Sequence, residues 1–270
     1  MSGPFAVNRI VAGILDDVAA REAVTSFQSI KHLSRQAPEP RDAAAAILRS
    51  GCGVIAEIKR QIPIRGQSID ISSMSEFAAS IERAGAHMIA CQTEKLRYAG
   101  SLEDMREARL AVDLPMMCRD IIVDPYQIHE ARYFGADIVP LQVELLGQAR
   151  LVSLIDRIES LGMTVLAEVR SPEEADRALS AGATVVGVNA WSINSAELDR
   201  ENFNSIVPGL PPEVLRIALG GVRTAKDLLS YAAAGADAVI VGEAIMSSED
   251  PAAKARSLVA AGQHPACPSR

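Results

Sequence analysis

Four copies of one short phrase recur along this 270-residue chain, and they restrict its fold more than any other feature. Ala84-Gly85-Ala86, Phe134-Gly135-Ala136, Ala181-Gly182-Ala183 and Ala234-Gly235-Ala236 each close a segment with helical periodicity. Each is followed within a few residues by an apolar run: MIAC, IVPLQV, VVGV and AVIVG. The glycines stand 50, 47 and 53 residues apart. Glycine just after a helix relieves the left-handed conformation of a helix C-terminus. The short apolar run that follows reads as a strand buried on both faces. A spacing near 50 residues holds two strand–helix units, so four repeats predict eight strands and eight helices, which close on themselves. The expected fold is α/β, a (β/α)8 TIM barrel, and barrels of this kind place their chemistry at the C-terminal ends of the strands.

The strands are expected at 53–59, 87–92, 115–119, 137–143, 163–169, 184–189, 215–220 and 237–242. Ser101-Leu102-Glu103-Asp104 carries a helix-start signal. Ser171-Pro172-Glu173-Glu174 carries a stronger one: a capping serine, proline at the first helical position and an acid at the third. Asp124-Pro125 and Asp250-Pro251 repeat the pattern. Residues 1–50 precede the barrel as an N-terminal helical extension with segments near 7–20, 21–34 and 40–50. It could plug the bottom of the barrel or reach over its mouth. Long loops are expected only at 60–73 and 190–212, both after strands. No linker interrupts the chain, so it is expected to be one domain over 1–270, with the barrel at 51–262 and a tail at 263–270.

Composition narrows the function. Hydrophobic residues make up 49% of the chain but aromatics only 4%, so aliphatic packing must build the core. The net charge of −7 and the lack of a basic cluster argue against a nucleic-acid partner. No run approaches the length of a membrane helix and no signal peptide is evident. The cysteines, Cys52, Cys91, Cys118 and Cys267, form no CxxC pair. Cys91 and Cys118 fall in strand patterns as small core residues, which fits a reducing, cytoplasmic location. His32, His87, His129 and His264 show no metal-ligand spacing, and no dinucleotide fingerprint is present. The sequence therefore calls for no metal and no cofactor.

The polar residues that end apolar strands carry the chemistry. The first strand runs Gly53-Val-Ile-Ala-Glu57-Ile-Lys59, and alternation puts Glu57 and Lys59 on one face. The fifth ends Ala167-Glu168-Val169. Arg119 ends PMMC and Asn189 ends VVGV. Charges facing a barrel interior must be paired, and they either neutralise one another or form a site. Gly220-Gly221 after the seventh strand and Gly242-Glu243 after the eighth either make turns or let backbone N–H groups approach a phosphate.

Several of these stretches resemble the indole-3-glycerol-phosphate synthase family over roughly residues 50–262. The similar motifs are Ala56-Glu57-Ile58-Lys59-Arg60, Gly100-Ser101-Leu102-Glu103-Asp104, Arg119-Asp120 through Gln127, Leu161-Gly162-Met163 with Ala167-Glu168-Val169, Gly187-Val188-Asn189, and Val241-Gly242-Glu243. The resemblance implies a lyase that closes the pyrrole ring of indole on an anthranilate joined to an opened, phosphorylated ribulose, with loss of carbon dioxide and water. It implies catalytic roles for Lys59, which would protonate or polarise the sugar oxygens, for Glu168 as proton shuttle, for Glu57 as the group orienting Lys59, and for Asn189 as the holder of a hydroxyl. The partner implied is a small phosphorylated substrate, with the enzyme a monomer or homodimer.

The departures from the family pattern fall on the site itself. The family's lysine in the third strand is Arg119 here, which keeps charge but not ordinary acidity. Its Glu-Ser after the seventh strand is Leu219-Gly220, and its Ser-Pro-Ser loop is Ile62-Pro63-Ile64. Its arginine two residues beyond the asparagine is Trp191, its phenylalanine pair is Arg97-Tyr98, and a further phenylalanine is Ile121. Trp191, the only tryptophan, either anchors its loop or walls an aromatic ligand. Three readings stay open: a working synthase with an altered site, a paralogue acting on another phosphorylated aryl or sugar substrate, and a binding protein that has lost catalysis.

Overall fold

A computed structural model describes residues 4–49, 51–192, 197–265 and 267, the side chains of 4–8 and 64 excepted. The side chain of Ile64, residues 193–196 of the long loop, and parts of the expected tail lie outside the described residues.

Eight parallel strands close into a barrel: β1 (Gly53–Ile58), β2 (Met88–Gln92), β3 (Met116–Arg119), β4 (Ile138–Gln142), β5 (Thr164–Val169), β6 (Val185–Asn189), β7 (Leu215–Leu219) and β8 (Ala238–Val241). β8 closes the ring on β1 through the pairs Gly53 to Ala238 and Ala56 to Val241. Each strand falls within one or two residues of its expected bounds. The four repeat glycines all lie in the left-handed region, at φ 92° to 98°, directly after helices. The helix starts follow their signals: Ser101 Oγ accepts from Asp104 N–H at 3.0 Å and Asp250 Oδ1 from Ala253 N–H at 2.9 Å. One detail differs. Glu174 does not return to the capping Ser171 but accepts from Arg170 N–H at 2.7 Å, one residue further upstream.

Alternation along each strand separates two cores. Ile55, Met88, Met117, Ile138, Leu166 and Ile217 fill the barrel interior, whereas Val54, Ile89, Cys91, Cys118, Val165 and Ala167 face the surrounding helices. Cys91 and Cys118 are fully buried there, as expected.

The extension forms α1 (Pro4–Val24), α2 (Phe27–Gln36) and α3 (Ala43–Ile47). The break expected near residue 21 occurs at Ser26, whose hydroxyl caps α2. α3 is the bottom plug, because Ala43 and Ile47 belong to the interior core. Asp137, at the foot of β4, fastens it. Its carboxylate accepts from Arg41 N–H at 2.7 Å, from Met116 N–H at 2.7 Å and from Arg109 Nη2 at 3.1 Å. α2 packs beside the helix Pro125–Tyr133. Of the two segments expected as long loops, 60–73 holds a small hairpin pairing Gln61–Ile62 with Gln67–Ser68. The other, 190–212, is not all loop: the helix Glu201–Ile206 lies within it, with Phe203 and Ile206 buried.

Candidate active site

The interior top layer of the barrel is polar on one side and apolar or bare on the other. Moving up each strand in steps of two, the interior residue reached at its end is Glu57, Gln92, Arg119, Gln142, Glu168, Asn189 or Leu219, and Gly242 follows β8. All eight line one cavity of about 340 Å³ at the C-terminal ends of the strands. The period of two makes this inevitable once the lower residues are interior and apolar.

The charged residues form one chain of contacts. Lys59 Nζ lies 2.6 Å from Glu57 Oε2 and 5.6 Å from the centre of the Tyr98 ring. Arg119 Nε is 3.5 Å from Glu57 Oε1, and its Nη1 makes a close ion pair with Glu168 Oε1. Asn189 Nδ2 donates to Glu168 Oε2 at 3.3 Å, and Trp191 N–H donates to Asn189 Oδ1 at 2.9 Å, which fixes the amide of Asn189. Two carboxylates thus face two cations, which is how the barrel tolerates four charges at this depth. Burial pulls the Glu57 carboxyl upward, but Lys59 and Arg119 outweigh it and hold it below the usual range. Burial likewise opposes the Arg119 charge, yet Glu168 and Glu57 make its guanidinium hold the proton more tightly still. Arg119 is therefore a fixed cation and not a proton donor.

The cavity wall from β7 and β8 is built for close approach. Gly220 and Gly221 have φ of 86° and 76°, which ends β7 at Leu219, one residue before the expected stop. A Cβ on Gly220 would stand 2.6 Å from Trp191 Cδ1, so the indole lies directly on this glycine. A Cβ on Gly221 would stand 2.7 Å from Arg200 Nε. Arg200 Nη1 pairs with Asp227 Oδ1 at 2.6 Å. Asp227 Oδ2 also accepts from Arg223 N–H at 3.0 Å and Thr224 N–H at 2.8 Å, so the turn after β7 is preorganised. Burial opposes these bonds, yet they bring the Asp227 carboxyl down to about 2. Gly242 cradles the catalytic candidates: a Cβ there would lie 2.7 Å from Lys59 Cε and 2.9 Å from its Nζ, and would collide with Glu57 Oε2. The Glu243 carboxylate is turned to Arg65, with Oε1 at 2.7 Å from Nη2.

The residues expected from sequence thus meet at one cavity: Glu57, Lys59, Tyr98, Arg119, Glu168, Asn189, Trp191, Gly220, Gly221, Gly242 and Glu243 all line it. Sequence reasoning missed Gln92, Gln142 and Asp120. The signal was present, since MIACQ and IVPLQ end in a polar residue as VVGVN does. Asp120 accepts from Thr93 Oγ1 at 2.6 Å and from Ile121 N–H at 2.7 Å, and burial raises its carboxyl to about 6.

Comparison with known proteins places this geometry among relatives. Residues 7–258 match the family model for indole-3-glycerol phosphate synthase. The chain is 51% identical to the indole-3-glycerol phosphate synthase of Mycobacteroides abscessus, covering 99% of this chain and 98% of that protein. It is 52% identical to the enzyme of the same name from Rhodococcus jostii, covering 97% of each. Among solved structures, thiamine phosphate pyrophosphorylase from Pyrococcus furiosus superposes with a TM-score of 0.61 at 18% identity over 81% of this chain and 96% of that one. N-acetylmannosamine-6-phosphate 2-epimerase from Clostridium perfringens gives 0.60 at 16% identity, over 77% and 93%. At such identities these two likenesses speak for the fold alone.

Proposed function

The chain belongs to the indole-3-glycerol phosphate synthase family, a family of ring-closing, decarboxylating lyases, and from that premise we propose how its own residues carry the reaction. The observation that carries the reading is the unbroken line of contacts from Tyr98 through Lys59, Glu57, Arg119 and Glu168 to Asn189 around one cavity. Lys59 donates a proton to a substrate oxygen as the ring closes, since it is the cation in the line that can give one up. Glu57 holds Lys59 in place through their ion pair. Glu168 moves the proton that the loss of water requires. Arg119 contributes a fixed positive field and sets the position of Glu168. Asn189, with its oxygen fixed by Trp191 N–H, presents its amide to Glu168 and a substrate hydroxyl.

Gly220, Gly221 and Gly242 let the backbone approach the phosphate, and Glu243 acts through its clasp on Arg65. Tyr98 stands as a wall for the aromatic part of the substrate, and Trp191, lying on Gly220, walls the phosphate end. The chain is taken as a single domain, monomer or homodimer, working in the cytoplasm on a small phosphorylated substrate without nucleic acid. No described helix is long and apolar enough to cross a membrane.

The test is turnover of carboxyphenylamino-deoxyribulose phosphate, followed by indole fluorescence and by release of carbon dioxide. Parent enzyme is expected to release both products, and Lys59→Met to lose at least about a thousandfold in kcat. Full activity in Lys59→Met would remove the proposed acid. A second reading is favoured by the apolar and bare wall of Leu219 and Gly220 under Trp191: the enzyme works faster on a different phosphorylated arylamine. Turnover of the standard compound far below that of a substituted one would select it.

A further inference from the structure

The cavity carries one hydrogen-bond donor that the acid–base line does not use, the indole N–H of Trp191. The backbone beneath it is firmly held. Trp191 N–H donates to Asn189 Oδ1 at 2.9 Å, Ala190 N–H to the Leu219 carbonyl at 2.8 Å and Asp199 N–H to the Ala190 carbonyl at 2.8 Å, while Trp191 bridges Leu198. The direction of the ring follows from Gly220. A Cβ there would stand 2.6 Å from Cδ1 and 3.0 Å from Nε1 but 3.7 Å from Cγ, so the edge that bears the N–H is turned to the glycine turn after β7. The Gly220 carbonyl is directed to Tyr231, whose hydroxyl donates to it at 3.2 Å. The indole N–H meets no acceptor among the described residues. Trp191 is only half-buried and lines the cavity. Unlike Gln92 Oε1, Gln142 Oε1 and Arg119 Nε, which the protein seals off, its Nε1 is open.

The charges around this turn say what kind of acceptor fits. Both nearby carboxylates are already taken: Glu243 by Arg65 at 2.7 Å, and Asp227 by Arg200 at 2.6 Å together with the Arg223 and Thr224 amides. Arg223 lines the cavity, and its guanidinium has no partner among the described residues. An open donor and an unpaired cation on one turn, with the carboxylates neutralised, suit an anion rich in acceptor oxygens.

We propose that Trp191 is a phosphate-binding residue whose indole N–H donates a hydrogen bond to a phosphate oxygen of the substrate, and that it thereby selects phosphorylated over dephosphorylated substrate. This assignment rests on the proposed function for its phosphorylated substrate but requires nothing of the ring closure. A hydrogen bond to a charged acceptor translates into about tenfold or more in affinity.

Trp191 is the only tryptophan of the chain, so tryptophan emission reports this contact alone. The experiment titrates the full chain with glycerol phosphate and with glycerol and follows that emission. Calorimetry then gives Kd for the reduced, non-cyclising form of carboxyphenylamino-deoxyribulose phosphate and for its dephosphorylated counterpart, in the parent and in Trp191→Phe, which keeps an aromatic wall and removes the N–H. The parent emission is expected to change with glycerol phosphate and to ignore glycerol. In Trp191→Phe the phosphorylated compound is expected to bind about tenfold or more weakly than in the parent, with the dephosphorylated one unchanged, and the loss in kcat/KM to fall on KM. Equal weakening of both compounds overturns the assignment, because the indole would then be a wall only. An unchanged Kd for the phosphorylated compound, or a parent emission indifferent to glycerol phosphate, overturns it as well. If Trp191→Phe melts far below the parent, the parent emission decides alone. If no carbon dioxide is released while the phosphate preference holds, the lyase reading fails and the assignment of Trp191 stands.

Discussion

Gly242→Ala is the sharpest test of how the cavity holds its proton donor. The backbone at Gly242 has φ of −112°, so alanine meets no left-handed strain there. What the methyl group meets is the Lys59–Glu57 pair: Lys59 Cε at 2.7 Å, its Nζ at 2.9 Å, and Glu57 Oε2 closer still. Ordinary contact requires these atoms to retreat by about 1 Å. The lysine end is the movable part, because Glu57 is also held by Arg119 and Gln92. A misplacement of about 1 Å in a reacting group costs on the order of a hundredfold in rate, or about 3 kcal/mol of barrier. The expected outcome for Gly242→Ala is a kcat lower by about a hundredfold with KM changed far less, and a Tm close to the parent. The assay is steady-state turnover on whichever arylamino-deoxyribulose phosphate the enzyme uses fastest, with thermal melting as the folding control. The effect should also vanish in a Lys59→Met background, since the methyl acts through that lysine. A kcat within threefold of the parent, or a loss fully additive with Lys59→Met, would refute the reasoning.

Three further outcomes follow from groups away from the reacting centre. Asp137→Ala strips acceptors from Arg41 N–H, Met116 N–H and the Arg109 guanidinium at once; it should cost about 3–5 kcal/mol and lower Tm by about 10 °C, and a shift under 2 °C would contradict it. Burial raises the Glu130 carboxyl to about 7, more than its ion pair with Arg21 lowers it. The folded chain then keeps a proton that the unfolded chain has released, so the stability Glu130 contributes is full below about pH 4 and is lost as pH climbs towards 7. The Tm advantage of the parent over Glu130→Gln should shrink from pH 4.5 to pH 7.5 in melting curves, and an advantage that grows would show the shift to have the other sign. Burial pushes the Cys52 thiol up to about 12 and raises Cys91 and Cys118 further. These three should resist a thiol reagent in the native protein and react on unfolding, so fast native labelling of any of them, read by mass spectrometry, would contradict their burial.

Much of the site was legible because barrel geometry turns sequence periodicity directly into position. Glu57, Arg119, Glu168 and Asn189 each end an apolar strand, and in a closed parallel barrel those ends must converge on one rim. Gln92 and Gln142 carry the same signal, but an uncharged amide at a strand end looks no different from a polar residue entering a loop. Where their amides point depends on which neighbours take up the nitrogens, and those neighbours, Glu57 and the Asp120 carbonyl, come from other parts of the barrel. The helix Glu201–Ile206 was hidden for a related reason. It is short, lacks a side-chain cap, and depends on burial of Phe203 and Ile206 against the barrel more than on local propensity.

Local chemistry determined the repeat, the strand and helix order, and the family to which the chain belongs: glycines with positive φ, caps and apolar runs act over a few residues and need no partner. Tertiary structure alone decided the rest. It decided that the extension plugs the foot of the barrel, that Trp191 lies on Gly220, that Gly242 cradles Lys59, and that Arg119 is bound between two carboxylates. Those facts are contacts between segments tens to hundreds of residues apart, and their free energies depend on distance, burial and competing partners, which exist only once the ring of strands has closed.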